Sequence, residues 1–240
     1  MSSGGFAARL AAIRARIASS ARRAGRDPAA VKLLAVSKTQ PPERVLEAVR
    51  AGVRAFGENR VQEAEAKIPV VRALSPAPLE WHLIGSLQRN KAARAAALCD
   101  VIQSLDRAPL AAALEREAAV LERRLRVLLQ VNVDAEPQKG GCAPDELPAL
   151  ARAVDACPHL ELAGLMAIPR PCADPEGVRP SFARMRGLLA ALNRERAAPL
   201  LELSMGMSDD FEVAVEEGAT WLRIGTALFG PRAAGAQEDP

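Results

Sequence analysis

Tyrosine is absent from this 240-residue chain, and all aromatic residues together make up 3% of it. A core of ordinary size must then be aliphatic, drawn from the Ala, Leu, Val and Ile that dominate a 49% hydrophobic content. No apolar run approaches the ~20 residues of a membrane-spanning helix, so no membrane partner is expected. The four cysteines, Cys99, Cys142, Cys157 and Cys172, contain no C-x-x-C pair, and His82 and His159 stand far apart. Without a metal-ligand spacing, no metal is expected. A chain this long and core-rich needs no disulfides, which reads as a reducing, cytoplasmic setting. The net charge of +3 is small for the length and gives no argument for a nucleic-acid partner.

Lysine is scarce as well. Of 32 basic residues, five are Lys (32, 38, 67, 91 and 139) and the remaining 27 are Arg. The chain uses Arg for ordinary surface charge. A Lys at a strand end is then notable, because Arg would serve there unless a primary amine is needed. Cys142 follows the Lys139 loop, and Cys172 lies in a Pro-rich loop. Either is a redox-sensitive thiol or, more ordinarily, a structural one.

The first 26 residues hold six Arg, four Ser and no acid, a composition shared with transit peptides. Phe6, Leu10, Ile13 and Ile17 nevertheless fall at helical spacing and make one apolar stripe. A structural amphipathic helix is the preferred reading. Beyond it, short apolar segments alternate with Ala/Leu/Arg/Glu-rich stretches. The strand candidates are 31–36, 53–57, 80–84, 99–103, 125–131, 159–165, 200–203 and 221–224. Their unalternating apolar character suits parallel strands covered on both faces. Pro41-Pro42-Glu43 and Ser208-Asp209-Asp210 read as helix starts, and Gly25 and Gly218 as helix ends. Eight strands alternating with helices predict one α/β domain over 1–232, a (β/α)8 TIM barrel with an extra N-terminal helix. A doubly wound open sheet is the competing architecture. Residues 233–240 read as a disordered tail.

In a barrel, the site lies where the strands end. Ser37-Lys38-Thr39 follows the first strand and Gly57-Glu58-Asn59 the second. The third leads into "IGSLQRNK", the fourth into Gln103-Ser104, and the fifth into Asn132 and "EPQKGG" with Lys139. The last two lead into "LSMGMSDD", with Ser204 and Gly206, and "RIGTALFG", with Arg223, Gly225 and Thr226. Glycines let a backbone approach closely, and hydroxyls donate hydrogen bonds. These two loops therefore suit a phosphate, although Thr226 also reads as a plain N-cap and Gly225 as a plain turn residue. Strand parity puts Lys38 on the face of Leu34 and Val36. On a lumen-facing apolar floor, burial disfavours its charged form and leaves an amine able to form a Schiff base. A lysine, a phosphate site and no metal ligands point to pyridoxal 5'-phosphate. The plain alternative is a surface lysine capping a strand.

The strings "LLAVSKTQ", "FGENRVQE", "WHLIGSLQRNK", "LMAIP", "LSMGMSDDFE" and "RIGTALFG" resemble the YggS/PROSC family of pyridoxal phosphate homeostasis proteins, in order and rough spacing from residue 6 to 231. The resemblance implies a barrel like the N-terminal domain of alanine racemase. It implies Lys38 as the Schiff-base lysine and Asn59 beside the ring. Ser204, Gly206, Gly225 and Thr226 would hold the phosphate, and Arg223 would approach the pyridine nitrogen. Lys139 matches a loop lysine linked to cofactor handling, and reads equally as a solvated loop charge. Two departures stand out: Arg60 where the family usually has Tyr, and Ser86 where it often has Pro.

An arginine at the pyridine nitrogen keeps that nitrogen unprotonated and the ring a weak electron sink. Alanine racemases accept this but use the lysine and a tyrosine as opposing bases. They also carry a second β domain, whereas this chain reads as ending just after its eighth strand. With no Tyr, the two-base route cannot run in its usual form. His82 follows Trp81 inside an apolar strand and reads as a packed histidine. No catalytic residue is expected. The resemblance favours a protein that buffers or delivers the cofactor, with apo pyridoxal-phosphate enzymes as partners. Two enzyme alternatives remain: an amino-acid racemase-like activity, and a barrel acting on a free phosphorylated metabolite. A monomer is expected, since no apolar stripe is visible beyond those the barrel needs.

Overall fold

The computed structural model describes residues 5–230. Eight strands form a closed barrel in which each pairs in parallel with the next and the eighth with the first. They are β1 (Lys32–Val36), β2 (Ala55–Glu58), β3 (Glu80–Leu83), β4 (Val101–Leu105), β5 (Leu125–Gln130), β6 (Leu160–Met166), β7 (Glu202–Ser204) and β8 (Trp221–Ile224). The β1–β8 pairing, Lys32 through Ala35 against Trp221 through Ile224, closes the sheet and excludes the open doubly wound alternative. The tail at 233–240 lies outside the described residues.

The helices are α1 (Phe6–Arg23), α2 (Pro42–Arg50), α3 (Val61–Leu74), α4 (Ala92–Leu98), α5 (Ala108–Val120), α6 (Leu147–Asp155), α7 (Arg179–Asn193), α8 (Phe211–Glu216) and α9 (Thr226–Phe229). In α1, the stripe Phe6, Leu10, Ile13 and Ile17 is buried, and the Phe6 ring lies 5.2 Å from that of Phe229. Arg16 and Arg23 pair with Glu212 and Glu216 and fix the helix against α8. Gly25 and Gly218 have φ of +66° and +104°, the left-handed geometry that ends a helix. Among the described residues, no helix is long and apolar enough to cross a membrane.

Three strands, β2, β4 and β7, begin two residues later than the sequence predicts, and this brings polar residues into the strands themselves. Residue 99 is the C-cap of α4, so β4 starts at Val101, and Gln103 and Ser104 lie within the strand rather than after it. β2 likewise takes in Gly57 and Glu58. Period-2 alternation then sends Ala35 and Ile102 outward into the main core. Leu34, with Ala55, Ile84, Trp221 and Val36, packs in a separate cluster on the lumen side.

The lumen floor is charged but internally paired. Arg126 bridges Glu80 at 2.8 Å and also Glu202. Lys32 reaches Glu202 at 3.4 Å, with its ammonium 4.8 Å from the Trp221 ring centroid.

The cysteines sort by burial. Burial pushes the thiols of Cys99 and Cys142 up to about 12, whereas Cys172 is exposed. Thiolate is the reactive form, so the buried pair should be inert at neutral pH. In an Ellman titration, Cys172 should react within minutes and Cys99 and Cys142 only after unfolding. Fast native labelling of Cys142 would overturn that assignment.

Candidate functional site

A pocket of about 700 Å³ opens at the C-terminal ends of the strands. Its wall includes Lys38, Asn59, Lys139, Arg223, Gly225 and Thr226, brought together from four different strand ends. Six of the eight residues singled out in the sequence thus face one cavity. Ser204 and Gly206 do not line it. Ser208 and Met207 do, together with Ser86 and Gln130.

Lys38 stands in the turn after β1, half-buried, in a wall shared with Val36 and Ile84. Its position is set by an ionic cluster one residue back. Lys67, on α3, donates to the Ser37 carbonyl at 2.7 Å and to Glu58 Oε1 at 2.8 Å. The Ser37 hydroxyl donates to the same oxygen at 2.6 Å. That carbonyl belongs to the peptide bond leading into Lys38, so the cluster pins the backbone from which the amine rises. Glu58 is fully buried; burial pushes its carboxyl above the usual carboxylate range, against the pull of Lys67 and Ser37. Lys67 carried a signal in the sequence, being one of only five lysines. A guanidinium is broader than the single ammonium that meets both oxygens here.

Asn59 is held by a close backbone crossing. A Cβ on Gly85 would lie 2.1 Å from the Asn59 carbonyl oxygen, so only glycine lets the β2 and β3 loops approach this closely. Arg60 is exposed at the N-cap of α3 and is not among the lining residues. Ser86 is in the wall.

The loops after β7 and β8 differ from the sequence expectation in detail. Gly206 has φ +90°, and a Cβ there would meet that of Ala214 at 2.5 Å. Its requirement is a turn packed on α8, which carries Met207 and Ser208 to the pocket. Ser204 is sealed inside the barrel, where its hydroxyl donates to Gln103 at 2.7 Å. Its hydrogen is thus already committed. Ser208, which the sequence marks only as a helix start, supplies the pocket hydroxyl instead, and its Oγ accepts from the Ala227 N–H at 3.3 Å. Gly225 is the N-cap of α9, and exposed Thr226 is its first residue.

Arg223 is 3% exposed. One terminal nitrogen donates to Ser204 Oγ at 2.8 Å and the other to the Ala167 carbonyl at 2.7 Å. Among the described residues, it forms no ion pair with a carboxylate; Asp210 acts on it only at longer range. Burial pushes its guanidinium down to about 10, still protonated at neutral pH. The Lys139 amine is held at the rim by Glu136 at 2.7 Å and by the Pro169 carbonyl at 2.8 Å. His82 is fully buried below the pocket, bonded to Gln103 at 2.7 Å.

Residues 8–233 match the family described as alanine racemase, N-terminal domain, which sets the class of barrel protein. The chain is 51% identical to the pyridoxal phosphate homeostasis protein of Pseudomonas aeruginosa over 231 residues, 96% of this chain and 97% of the relative. The protein of the same name from Aquifex aeolicus is 45% identical over 224 residues, 93% and 97% of the two chains. The solved structure of PipY from Synechococcus elongatus, with pyridoxal phosphate bound, is 40% identical at a TM-score of 0.82, covering 94% of this chain and all 100% of that one. The chain belongs to the family of these pyridoxal phosphate homeostasis proteins.

The buried pair under Lys38 is testable through stability. Lys67→Met leaves a buried carboxylate without its cation, a loss of ~3–5 kcal/mol in urea unfolding. Since the folded Glu58 carboxyl titrates above its unfolded value, the deficit should shrink as pH falls through the raised value. Adding Glu58→Gln should restore part of it. A deficit independent of pH would place the cost in lost packing instead.

Proposed function

We propose that this protein holds pyridoxal 5'-phosphate as a Schiff base on Lys38 and buffers or delivers it without turning over a substrate. The observation that carries the reading is the shared pocket. A primary amine, a buried guanidinium bonded to neutral oxygens, and hydroxyls from the β7 and β8 loops line one cavity. When bound, pyridoxal phosphate supplies an aldehyde that condenses reversibly with a primary amine and releases water.

The donor set fits that group. Lys38 supplies the amine, fixed at its backbone by Lys67 and Glu58. Thr226, Ser208 and the Gly225 turn are placed to hold the phosphate, where several weak contacts must act together. Arg223 is placed to meet the pyridine nitrogen as a donor, and Asn59 flanks the ring. Ser204 and Gly206 act one layer back, through Arg223 and through the turn that presents Ser208. Lys139 sits at the rim, where a departing or arriving cofactor passes. Exchange of the imine onto another amine would hand the cofactor to apo pyridoxal-phosphate enzymes.

Two features support holding over turnover. The chain has no tyrosine to act as a second base. His82 is sealed below the pocket and committed to Gln103. The racemase-like alternative would have to recruit Asp209 or Lys139 from the pocket wall in place of the missing tyrosine.

The test is a visible absorption spectrum of wild type and Lys38→Ala with added pyridoxal phosphate. Wild type should show a band that borohydride removes, and the variant should lack it. Thr226→Ala should keep the band and weaken binding about 10-fold, the loss of one charge-assisted hydrogen bond. No band in wild type with excess cofactor would defeat the reading. Racemisation of alanine by the loaded protein would replace the carrier with an enzyme.

A further inference from the structure

Four side chains stand in file through the barrel lumen, from the pocket to the floor. Arg223 on β8 donates to Ser204 on β7 at 2.8 Å, and the Ser204 hydroxyl donates to Gln103 Oε1 on β4 at 2.7 Å. Gln103 Nε2 lies 2.7 Å from His82 Nδ1 on β3, and His82 Nε2 lies 3.5 Å from Glu80 at the floor. All four members of the file are buried, at 3% exposure or less.

The file has one sense, and its top member sets it. A guanidinium can only donate. The Ser204 oxygen therefore accepts from Arg223, and its single hydrogen must go onward to an acceptor. Gln103 meets it with the carbonyl, which turns the amide nitrogen to His82. Nδ1 then accepts, and the imidazole proton resides on Nε2, facing Glu80. Reversing the amide would present an N–H₂ to Ser204 and leave the hydroxyl hydrogen without an acceptor in a dry interior, a costly arrangement. His82 and Ser204 thus lock Gln103 between them.

We infer that Gln103 is a positioning residue for Arg223. It touches no part of the pocket, yet it fixes the Ser204 oxygen against which the guanidinium is aimed. The Ala167 carbonyl holds the other terminal nitrogen, so the plane of the group is set by two neutral acceptors. A carboxylate in either place would pair with the cation and spend its charge inside the barrel. Neutral acceptors fix direction and leave the charge to the pocket. The ligand side of this inference rests on the pocket's reading as a pyridoxal phosphate site.

The test uses Gln103→Met, which keeps length and removes both polar atoms. The first readout needs no ligand: the ¹⁵N side-chain signals of Arg223 in the ligand-free protein, assigned by their loss in Arg223→Lys. A gripped guanidinium rotates slowly and gives resolved terminal nitrogens. Gln103→Met should merge them, whereas an unchanged Arg223 spectrum would overturn the inference whatever the pocket binds. The second readout compares affinity for pyridoxal phosphate and for its 1-deaza analogue, which lacks the ring nitrogen. Gln103→Met should lose about fivefold toward the first, the scale of one neutral hydrogen bond, and little toward the second. Equal losses for both would mean a merely structural role. Should Gln103→Met fold poorly, Ser204→Ala cuts the same file one link nearer and must give the same two signatures. Wild type that binds neither compound would defeat the functional reading, while the ligand-free spectrum still decides the inference.

Discussion

A protonated guanidinium sealed inside a barrel, with no carboxylate in contact among the described residues, is the constraint around which the upper lumen is arranged. Removing such a group from water is costly unless its donors are met. Arg223 meets neutral oxygens from Ser204 and Ala167, and burial lowers it only to about 10, so it stays charged. The lower lumen solves the same problem differently. There, Arg126 and Lys32 are neutralised by Glu80 and Glu202. One barrel therefore holds a closed ion network at its floor and an open cation at its mouth.

The lysine is held by a different device. β1 delivers Lys38 on the face of Leu34 and Val36, while Ser37, of opposite parity, turns outward to Glu58 and Lys67. That buried ion pair is weak evidence for stability, because its desolvation offsets much of its attraction. It does fix a specific carbonyl, the one attached to the Lys38 nitrogen. Arg223 and the backbone of Lys38 are thus both held by polar groups that never reach the pocket. Arg223 and Lys38 come from adjacent strands, with Leu34 opposite Arg223 in the β1–β8 register. Barrel closure is what makes the first and last strands neighbours, and without it the two side chains would lie at opposite edges of a sheet.

Much of this was legible in the residues. Unalternating aliphatic segments marked the strands, and the apolar stripe Phe6, Leu10, Ile13 and Ile17 marked α1. The strand-end rule gathered Lys38, Asn59, Lys139, Arg223, Gly225 and Thr226 before any coordinates. What failed was local. A shift of two residues in the start of β4 separates a loop Gln103 from a lumen Gln103. Helix ends such as residue 99 blur that boundary, because an apolar residue suits a helix C-cap and a strand start alike. Ser204 and Ser208 differ by four positions and are chemically equal in the sequence. Only the left-handed turn at Gly206, packed against Ala214, decides which hydroxyl reaches the pocket.

The sequence by itself determined the alternation of strands and helices, the aliphatic core, and a lysine at a strand end in a chain that otherwise prefers arginine. These follow from periodicity and composition, which act through neighbours along the chain. Tertiary structure alone decided the partners of the buried polar groups: Lys67 with Glu58, and Gln103 between Ser204 and His82. Gln103 and Ser204 lie 101 residues apart in the chain. A hydrogen bond depends on distance and direction in space, and closure of the barrel sets both.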